Sequence, residues 1–402
     1  MRRCHLTVVL ILIVGACAPG EPAAHRTGNA RISPGAEALL PSPEGLPAPA
    51  PQTPSSYQLG QVLQLDRVQL FGAKGWATVG GSAPPVLTDD GGLTWHRPPS
   101  WPVSSSAALV GAVFLDVDRA VVQTSVGFLR TDDRGQSWRA ASDPGVAQAT
   151  FSFPSNSVGW AASRGEPASV FSEETEDVWR STDGGLDWTE VSATDLPPAT
   201  STPNGIPLRC GKQGGIGARD ANTAWVAGGC LSGITFEVTR DGGRSWAAQP
   251  LPSPAGGPIS CERGPCGATA PVFVSSVFGY ATVTDFPGSN GGRTILYETY
   301  DGGSNWVPRV LPFGPGGVFM VEQADGYGAV AYGGPAPGVY RTRDTGRTWI
   351  AESASLPAPF AISCSSVFVC WGVVAGGQGA LRPLLVTQDA WLHWQAIVPT
   401  YQ

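Results

Sequence analysis

Lysine is the scarcest charged residue in this 402-residue chain, where Lys74 and Lys212 are the only two among 25 basic residues. Charged residues make up 14% of the chain, and the net charge is −7 at pH 7. A protein that binds a phosphate backbone needs clustered positive charge. The composition therefore argues against a nucleic-acid partner, and the acidity is more simply a source of solubility.

The chain also lacks the residue patterns of a zinc site. It has no Cys-x-x-Cys, and the histidines of the folded region, His96 and His393, do not cluster with cysteines. Six cysteines follow the N-terminal leader, and an even number in an exported protein predicts disulfides. Their closeness in sequence favours local pairs, although six cysteines allow many other pairings, and free buried thiols are an alternative. The candidates are Cys210, Cys230, Cys261, Cys266, Cys364 and Cys370.

The only long apolar run lies at the start of the chain, and it is too short to span a bilayer. Arg2 and Arg3 precede it, so residues 1–17 read as an export signal. The run ends Val14-Gly15-Ala16-Cys17, which resembles the bacterial lipobox. That resemblance implies lipidation at Cys17 and a lipid anchor on the outer face of the cytoplasmic membrane or envelope. The alternative is an ordinary secretory signal with a coincidental cysteine.

Residues 18–56 are rich in proline, alanine, serine and glycine. Such a segment buries too little apolar surface to fold, so we expect an extended and disordered linker.

Residues 57–402 contain one motif seven times, Ser/Thr-x-Asp-x-Gly-x-x-Trp, at intervals of 43 to 60 residues. The last copy has Trp391 in place of the glycine. The copies occupy 88–95, 131–138, 181–188, 239–246, 299–306, 342–349 and 387–394. A motif at such a period indicates one structural unit repeated along the chain.

Each unit reads as four short strands. In the third unit an alternating stretch precedes Gly159-Trp160-Ala161-Ala162, then Asp177-Val178-Trp179-Arg180, then the motif and a strand that leaves it. Period-2 patterning without helical periodicity predicts an all-β fold. The sequence therefore predicts a seven-bladed β-propeller of four-stranded antiparallel blades.

The motif residues suit a turn. The aspartate accepts hydrogen bonds from nearby amides, glycine supplies a positive φ, and the tryptophan packs against the neighbouring sheet. We therefore interpret the motifs as structural and expect no catalytic residue among them. The aspartates are Asp90, Asp133, Asp183, Asp241, Asp301, Asp344 and Asp389, and the tryptophans are Trp95, Trp138, Trp188, Trp246, Trp306, Trp349 and Trp394.

This motif resembles the Asp-box, or BNR repeat, of sialidases, sortilin-type receptors, some glucanases and the photosystem II assembly and stability factor family. Seven repeats, the Gly-Trp-Ala second strand and the lipobox look most like the last of these. The resemblance covers residues 57–402 and implies a propeller with the boxes on its periphery, away from any active site. It does not imply a photosystem partner.

Loops that are not repeated are where a propeller builds its binding sites. The third unit has an acidic insertion at 172–177, the fourth has a glycine-rich run at 211–217, and the fifth has loops at 261–266 and 285–292. The acidic insertion lacks the ligand spacing of a calcium site, so we expect a solvated loop.

An enzyme is the less favoured hypothesis. The arginine triad and Arg-Ile-Pro motif of sialidases are not recognisable, and Tyr297 and Tyr300 read as strand residues. A glucanase-like carboxylate pair is harder to exclude, but the candidates recur at one turn position. They are Asp116, Asp118, Asp220, Asp285, Glu322 and Asp325.

We therefore predict a monomeric, membrane-anchored scaffold without a cofactor or metal, whose partner is a protein or glycan of the cell envelope. The alternative is a carbohydrate-binding protein or a glycoside hydrolase of the envelope.

Overall fold

A computed structural model describes residues 58–402 except 81, 105–106, 143–148, 168–173, 194–204, 207–210, 212–213, 288–291, 315–316, 324–325, 331–337, 353–358 and 375–382. The predicted signal, Cys17 and the predicted linker lie outside these residues. Helices are absent from the described part of the chain, so the predicted all-β class is confirmed. No segment there could cross a membrane as a helix.

The first half of the chain forms three sheets and one short separate strand. Sheet 1 contains β1 (Leu65–Phe71), β2 (Lys74–Val79) and β3 (Ser82–Thr88), and β4 (Thr94–Trp95) follows. Sheet 2 contains β5 (Leu109–Phe114), β6 (Ala120–Thr124), β7 (Gly127–Thr131) and β8 (Arg139–Ala141). Sheet 3 contains β9 (Thr150–Ser152), β10 (Gly159–Pro167), β11 (Glu174–Ser181) and β12 (Thr189–Ala193).

The second half forms four sheets. Sheet 4 contains β13 (Gly215–Ala218), β14 (Ala224–Cys230), β15 (Gly233–Thr239) and β16 (Ala247–Ala248). Sheet 5 contains β17 (Gly267–Ala268), β18 (Val272–Phe273), β19 (Gly279–Asp285), β20 (Arg293–Thr299) and β21 (Val307–Val310). Sheet 6 contains β22 (Gly317–Met320), β23 (Gly326–Val330), β24 (Gly338–Thr342) and β25 (Ile350–Ala351). Sheet 7 contains β26 (Pro359–Cys364), β27 (Cys370–Val374), β28 (Leu384–Thr387) and β29 (Gln395–Ile397), and β30 (Thr400–Tyr401) ends the chain.

Six of the seven sheets run in simple sequence order with antiparallel neighbours, as predicted for the blade of a propeller. In sheet 5, β17 and β18 both pair with β19. Six sheets have four or more strands, but sheet 1 has only three. Its fourth strand, β4, touches β3 through a single bridge between Leu87 and His96 and pairs with β30 instead. The prediction of seven uniform four-stranded blades therefore holds for six sheets.

The sheets pack face to face around a ring because both faces of the second strands are apolar. Every residue of β14 is buried, including Trp225. The buried clusters join neighbouring sheets, and one of them unites Val68 and Trp95 of the first repeat with Trp371 and Leu384 of sheet 7. The last sheet therefore packs on the first.

The first strands of the sheets lie closest to the ring axis, where neighbouring sheets converge. The amide of Leu70 in β1 donates to Ser363 Oγ in β26 at 3.3 Å. The amide of Ala218 in β13 donates to Ser152 Oγ in β9 at 2.9 Å.

The C-terminal segment closes the ring. β30 pairs in parallel with β4, with Thr400 opposite Thr94 and Tyr401 opposite Trp95. On its other side it bonds to the start of the domain, where the Gly60 amide donates to the Tyr401 carbonyl at 2.8 Å. Residues from both ends of the domain therefore close the ring. The sequence alone did not indicate which segments do so.

Candidate functional site

The boxes and the unrepeated loops lie at opposite ends of the sheets. In most boxes the residue after the aspartate donates its amide hydrogen to the turn between the first and second strands of the same sheet. This bond is seen in six repeats, at 2.7–2.9 Å, for example from Gly184 to the Ser157 carbonyl. Because strands alternate in direction, the second-to-third turns and the loops between sheets lie at the other end, which we call the loop end.

Each box is held by its own side chains. In the third, the Gly185 amide donates to Ser181 Oγ at 2.7 Å, and Ser181 Oγ donates to Asp183 Oδ1 at 2.7 Å. The Asp183 carboxylate also accepts from the Leu186 and Asp187 amides at 3.0 Å. Burial raises the pKa of Asp183, but these hydrogen bonds outweigh it and hold the pKa below its usual value.

The same arrangement recurs in all seven boxes, including the last, where the Trp391 amide takes the glycine's place and donates to Thr387 Oγ1 at 2.9 Å. The pKa of every box aspartate lies below its usual value. The carboxylates are occupied with backbone amides and form part of the turn.

Two successive residues of every box adopt positive φ, whereas the sequence indicated only one. The residue before the glycine position does so as well, and in three boxes it is not glycine. Arg134 has φ 59°, Thr345 58° and Ala390 64°, and Trp391 follows at 67°. These four are the non-glycine residues of positive φ within the described ranges.

The box tryptophans are less uniformly buried than expected. Trp95, Trp246 and Trp306 are buried, but Trp138, Trp188, Trp349 and Trp394 are half-buried. In three boxes the indole N–H bonds within the box, as from Trp188 Nε1 to the Gly185 carbonyl at 3.1 Å. The ring still packs on the preceding sheet, since Trp306 meets Trp225 edge to face at 6.2 Å.

Tryptophans of the second strands supply the polar links between sheets. Trp76 Nε1 donates to the Asp116 carbonyl at 3.1 Å, and Trp160 Nε1 donates to the Asp220 carbonyl at 3.0 Å. Trp371 Nε1 donates to the Gly91 carbonyl at 2.9 Å across the ring closure. The second strand therefore fastens each of these sheets to the next.

The predicted carboxylates are not brought together. Asp116 Oδ1 accepts from the Asp118 and Arg119 amides at 2.9 and 2.8 Å, and Asp220 Oδ1 caps the equivalent turn of sheet 4 at 2.8 Å. Asp118 and Glu322 are exposed, and Asp325 lies outside the described residues. Asp285 lies at the loop end and does not form a turn, so the turn role expected for it is wrong.

The acidic segment of the third repeat was predicted incorrectly. Residues 174–177 belong to β11, and Glu176 is buried, so these positions form a strand and not a solvated loop. Ser172 and Glu173 lie outside the described residues. Among those described, no group of three His, Cys, Asp or Glu side chains could hold a metal ion.

Two predicted disulfides are confirmed. Cys261 bonds to Cys266, and Cys364 bonds to Cys370 directly across β26 and β27. Cys230 is also disulfide-bonded, and its predicted partner Cys210 lies outside the described residues.

The loop that enters sheet 5 is fixed by one buried ion pair. Arg293 Nε donates to Asp285 Oδ1 at 2.7 Å, and Nη2 donates to Oδ2 at 2.8 Å. The same guanidinium donates to the carbonyls of Ala255, Gly257 and Pro258 at 3.0–3.2 Å. Asp285 Oδ2 also accepts from the Ser260 amide at 3.2 Å. One arginine thus orders residues 255–260.

Further contacts complete this loop. Tyr297 donates its hydroxyl hydrogen to the Pro252 carbonyl at 2.8 Å, and burial raises the pKa of Tyr297 to about 12. The Cys266 amide donates to the Cys230 carbonyl of sheet 4 at 3.1 Å. Glu262 and Arg263 are exposed at the tip. We call residues 252–266 the sheet 5 loop.

The described end of the glycine-rich run of the fourth repeat, residues 214–217, packs closely between sheets 4 and 5 and is not a surface loop. A Cβ at Gly214 would lie 1.9 Å from the Ala268 carbonyl oxygen, and one at Gly217 would lie 2.0 Å from that of Pro271. Only glycine permits this approach. The sheet 5 loop therefore lies where sheets 4 and 5 are closely packed against each other.

A buried carboxylate between sheets 5 and 6 was not anticipated. Glu298 is fully buried, and its Oε2 accepts from Arg309 Nε at 2.6 Å and from the Tyr300 hydroxyl at 3.1 Å. Burial raises the pKa of Glu298 despite Arg309. Its position directly before a box, where other repeats have valine, leucine or arginine, was the only sequence signal.

No protein family and no curated protein matches the sequence. Among solved structures, the chain is similar to YCF48 bound to D1 peptide, with 15% identity and a TM-score of 0.47, covering 85% of this chain and 95% of that one. It is similar to YCF48 from Cyanidioschyzon merolae, with 17% identity and a TM-score of 0.45, covering 73% and 86%. It is also similar to the GH74 xyloglucanase from Xanthomonas campestris, with 13% identity and a TM-score of 0.35, covering 84% and 65%.

Proposed function

We propose that this chain is an exported propeller, anchored by lipid at Cys17, that acts as a protein-interaction or assembly scaffold. The motifs are taken as Asp-boxes, and sheet 1 together with β4 is counted as a seventh blade. The ring is then a monomeric seven-bladed body carried on the linker 18–56.

The sheet 5 loop is the observation that carries this proposal. Arg293 and Asp285 hold it in place, a disulfide closes it, and it projects from the loop end, opposite the boxes. A binding loop that is ordered before it meets its partner loses less conformational entropy on binding. The exposed Glu262 and Arg263 at its tip are the side chains expected to touch the partner.

The proposal is tested by capturing the full-length chain from the detergent-solubilised envelope of its host. We expect one protein in constant stoichiometry, and the double substitution Glu262→Ala, Arg263→Ala should reduce its recovery roughly tenfold, equivalent to about 1.4 kcal/mol. Asp187→Ala is the control, because Asp187 is also exposed but lies in a box at the opposite end.

Equal loss of the partner in the loop and box variants would refute the role of the loop. A glycoside hydrolase would give a different result. The chain would then cleave a fluorogenic glycoside from a broad panel, and substitution of one carboxylate would abolish the cleavage.

A further inference from the structure

The first strands of three neighbouring sheets each have a shift in hydrogen-bond register near the loop end. β26 has a register shift between Pro359 and Ala361, β1 between Leu65 and Arg67, and β5 between Leu109 and Gly111. These strands belong to sheets 7, 1 and 2, which are consecutive in the ring, and each shift lies near the start of its strand, at the loop end. Bulges redirect side chains and are frequent beside functional sites.

Arg67 lies in the middle strand of these three. Its Nη1 donates to the Ala112 carbonyl of β5, and no carboxylate in the described part of the chain forms an ion pair with it. Burial lowers the pKa of Arg67 to about 10, and no neighbouring charge contributes to that shift. Arg67 is half-buried, so its guanidinium is only partly hydrated and has no counter-charge beside it among the described residues.

Gly111 precedes Ala112, whose carbonyl Arg67 contacts, and its surroundings are uncrowded. Gly111 has no side chain, and a Cβ placed there would meet only Gln123, at 3.7 Å. Val110 is 44% exposed, so the bulged start of β5 is accessible to solvent. A small ligand entering from the loop end could therefore reach the first strands.

We propose that Arg67 and the bulged starts of β1, β5 and β26 form a binding site for a monovalent carboxylate. A guanidinium forms parallel hydrogen bonds to the planar carboxylate, and one negative charge balances the one positive charge present. A dianionic phosphate would leave excess negative charge on a chain whose net charge is already −7. The site is separate from the sheet 5 loop, so it does not depend on the scaffold proposal.

The test is thermal unfolding of the full chain at pH 7 and constant ionic strength, with chloride replaced by acetate. We expect the Tm of the unmodified chain to rise by roughly 2–4 °C. Arg67→Met should show only the general effect of acetate, and so a smaller rise, and should be at least as stable in chloride, because it removes the uncompensated charge. Arg67→Lys, which keeps the charge without the planar fork, should show a smaller rise.

Arg139→Met is the control, since Arg139 is exposed and paired with Asp132, and it should respond like the unmodified chain. N-acetylalanine and glucuronate distinguish the end of a polypeptide from an acidic sugar as the source of the carboxylate. The proposal is overturned if Arg67→Met responds like the unmodified chain, if no carboxylate raises the Tm, or if the difference in Tm between the unmodified chain and Arg67→Met is larger in phosphate than in acetate. Should Arg67→Met not fold, Arg67→Lys carries the comparison.

Discussion

Single residues in the boxes adopt a backbone conformation that their side chains disfavour. For residues other than glycine the left-handed region costs about 1–2 kcal/mol, and a β-branched side chain is the least suited to it. Thr345 adopts φ 58° in the sixth box. The equivalent residue in four other boxes is glycine, so the turn does not require a threonine at this position.

Thr345→Gly should therefore stabilise the protein by about 1 kcal/mol, because relief of strain exceeds the added freedom of the unfolded chain. Denaturant unfolding measures this change. Thr189→Gly is the matched control, since Thr189 is an exposed residue of β12, where glycine should destabilise by a similar amount. A loss of stability in both variants would contradict the strain argument.

Burial of Glu298 disfavours the ionised form of its carboxyl group. Its folded pKa is raised, chiefly by burial, so its contribution to stability is present below the unfolded pKa and is lost as the pH rises through the folded value. Glu298→Gln should remove this dependence and narrow the difference in unfolding free energy between pH 4 and pH 8. Urea unfolding over this range measures it, with the exposed Glu322→Gln as control; identical pH profiles for the two variants would disprove the assignment.

Among the elements, those with local signals were predictable. The box and the Gly-Trp-Ala pattern identified the second, third and fourth strands, because turn chemistry and period-2 burial act within a few residues. The run 211–217 and the acidic run 172–177 were misread, because their roles depend on a neighbouring sheet. The glycines allow sheet 5 to approach, and Glu176 is enclosed by packing that composition does not reveal.

The candidate site was less predictable still. Sequence indicated that the fifth repeat carries extra loops, but the pairing of Asp285 with Arg293 joins residues on two strands. The bulge before Arg67 could not be predicted from the sequence, because it is defined by the hydrogen-bond register between β1 and β2.

The closing element β30 gives a direct prediction. The Thr400 amide donates to the Leu93 carbonyl at 3.2 Å, and Thr400→Pro removes that donor at the ring closure. We expect a loss of about 1–2 kcal/mol in denaturant unfolding and faster proteolysis of the C-terminus. Thr400→Ala keeps the amide and should behave nearly like the unmodified chain; equal damage from both would point to the side chain instead.

For the whole molecule, the seven box aspartates act together on pH stability. Their pKa values are all lowered in the folded state, so their contribution is present above the unfolded value, about 3.9, and is lost as the pH falls through the folded values. Unfolding free energy should therefore fall steeply below about pH 4. Asp183→Asn should lessen the fall and Asp187→Asn should not, as followed by circular dichroism.

The proposed lipid anchor at Cys17 gives a prediction for the whole molecule. Cys17→Ser should move the protein from the membrane fraction to the soluble fraction, because several acyl chains would be lost. Fractionation followed by immunoblotting gives the result. Retention of the variant on the membrane would show that another segment provides the anchor.

The ring closure also sets an order of events during synthesis. The first sheet leaves the ribosome hundreds of residues before the strand that borders it, since β4 at 94–95 pairs with β30 at 400–401. Until the final residues arrive, the edge of β4 is without this partner, and an open strand edge invites pairing with other chains. Loss of residues 400–401 therefore exposes a strand edge beside the first sheet to be made, far from the change in the sequence.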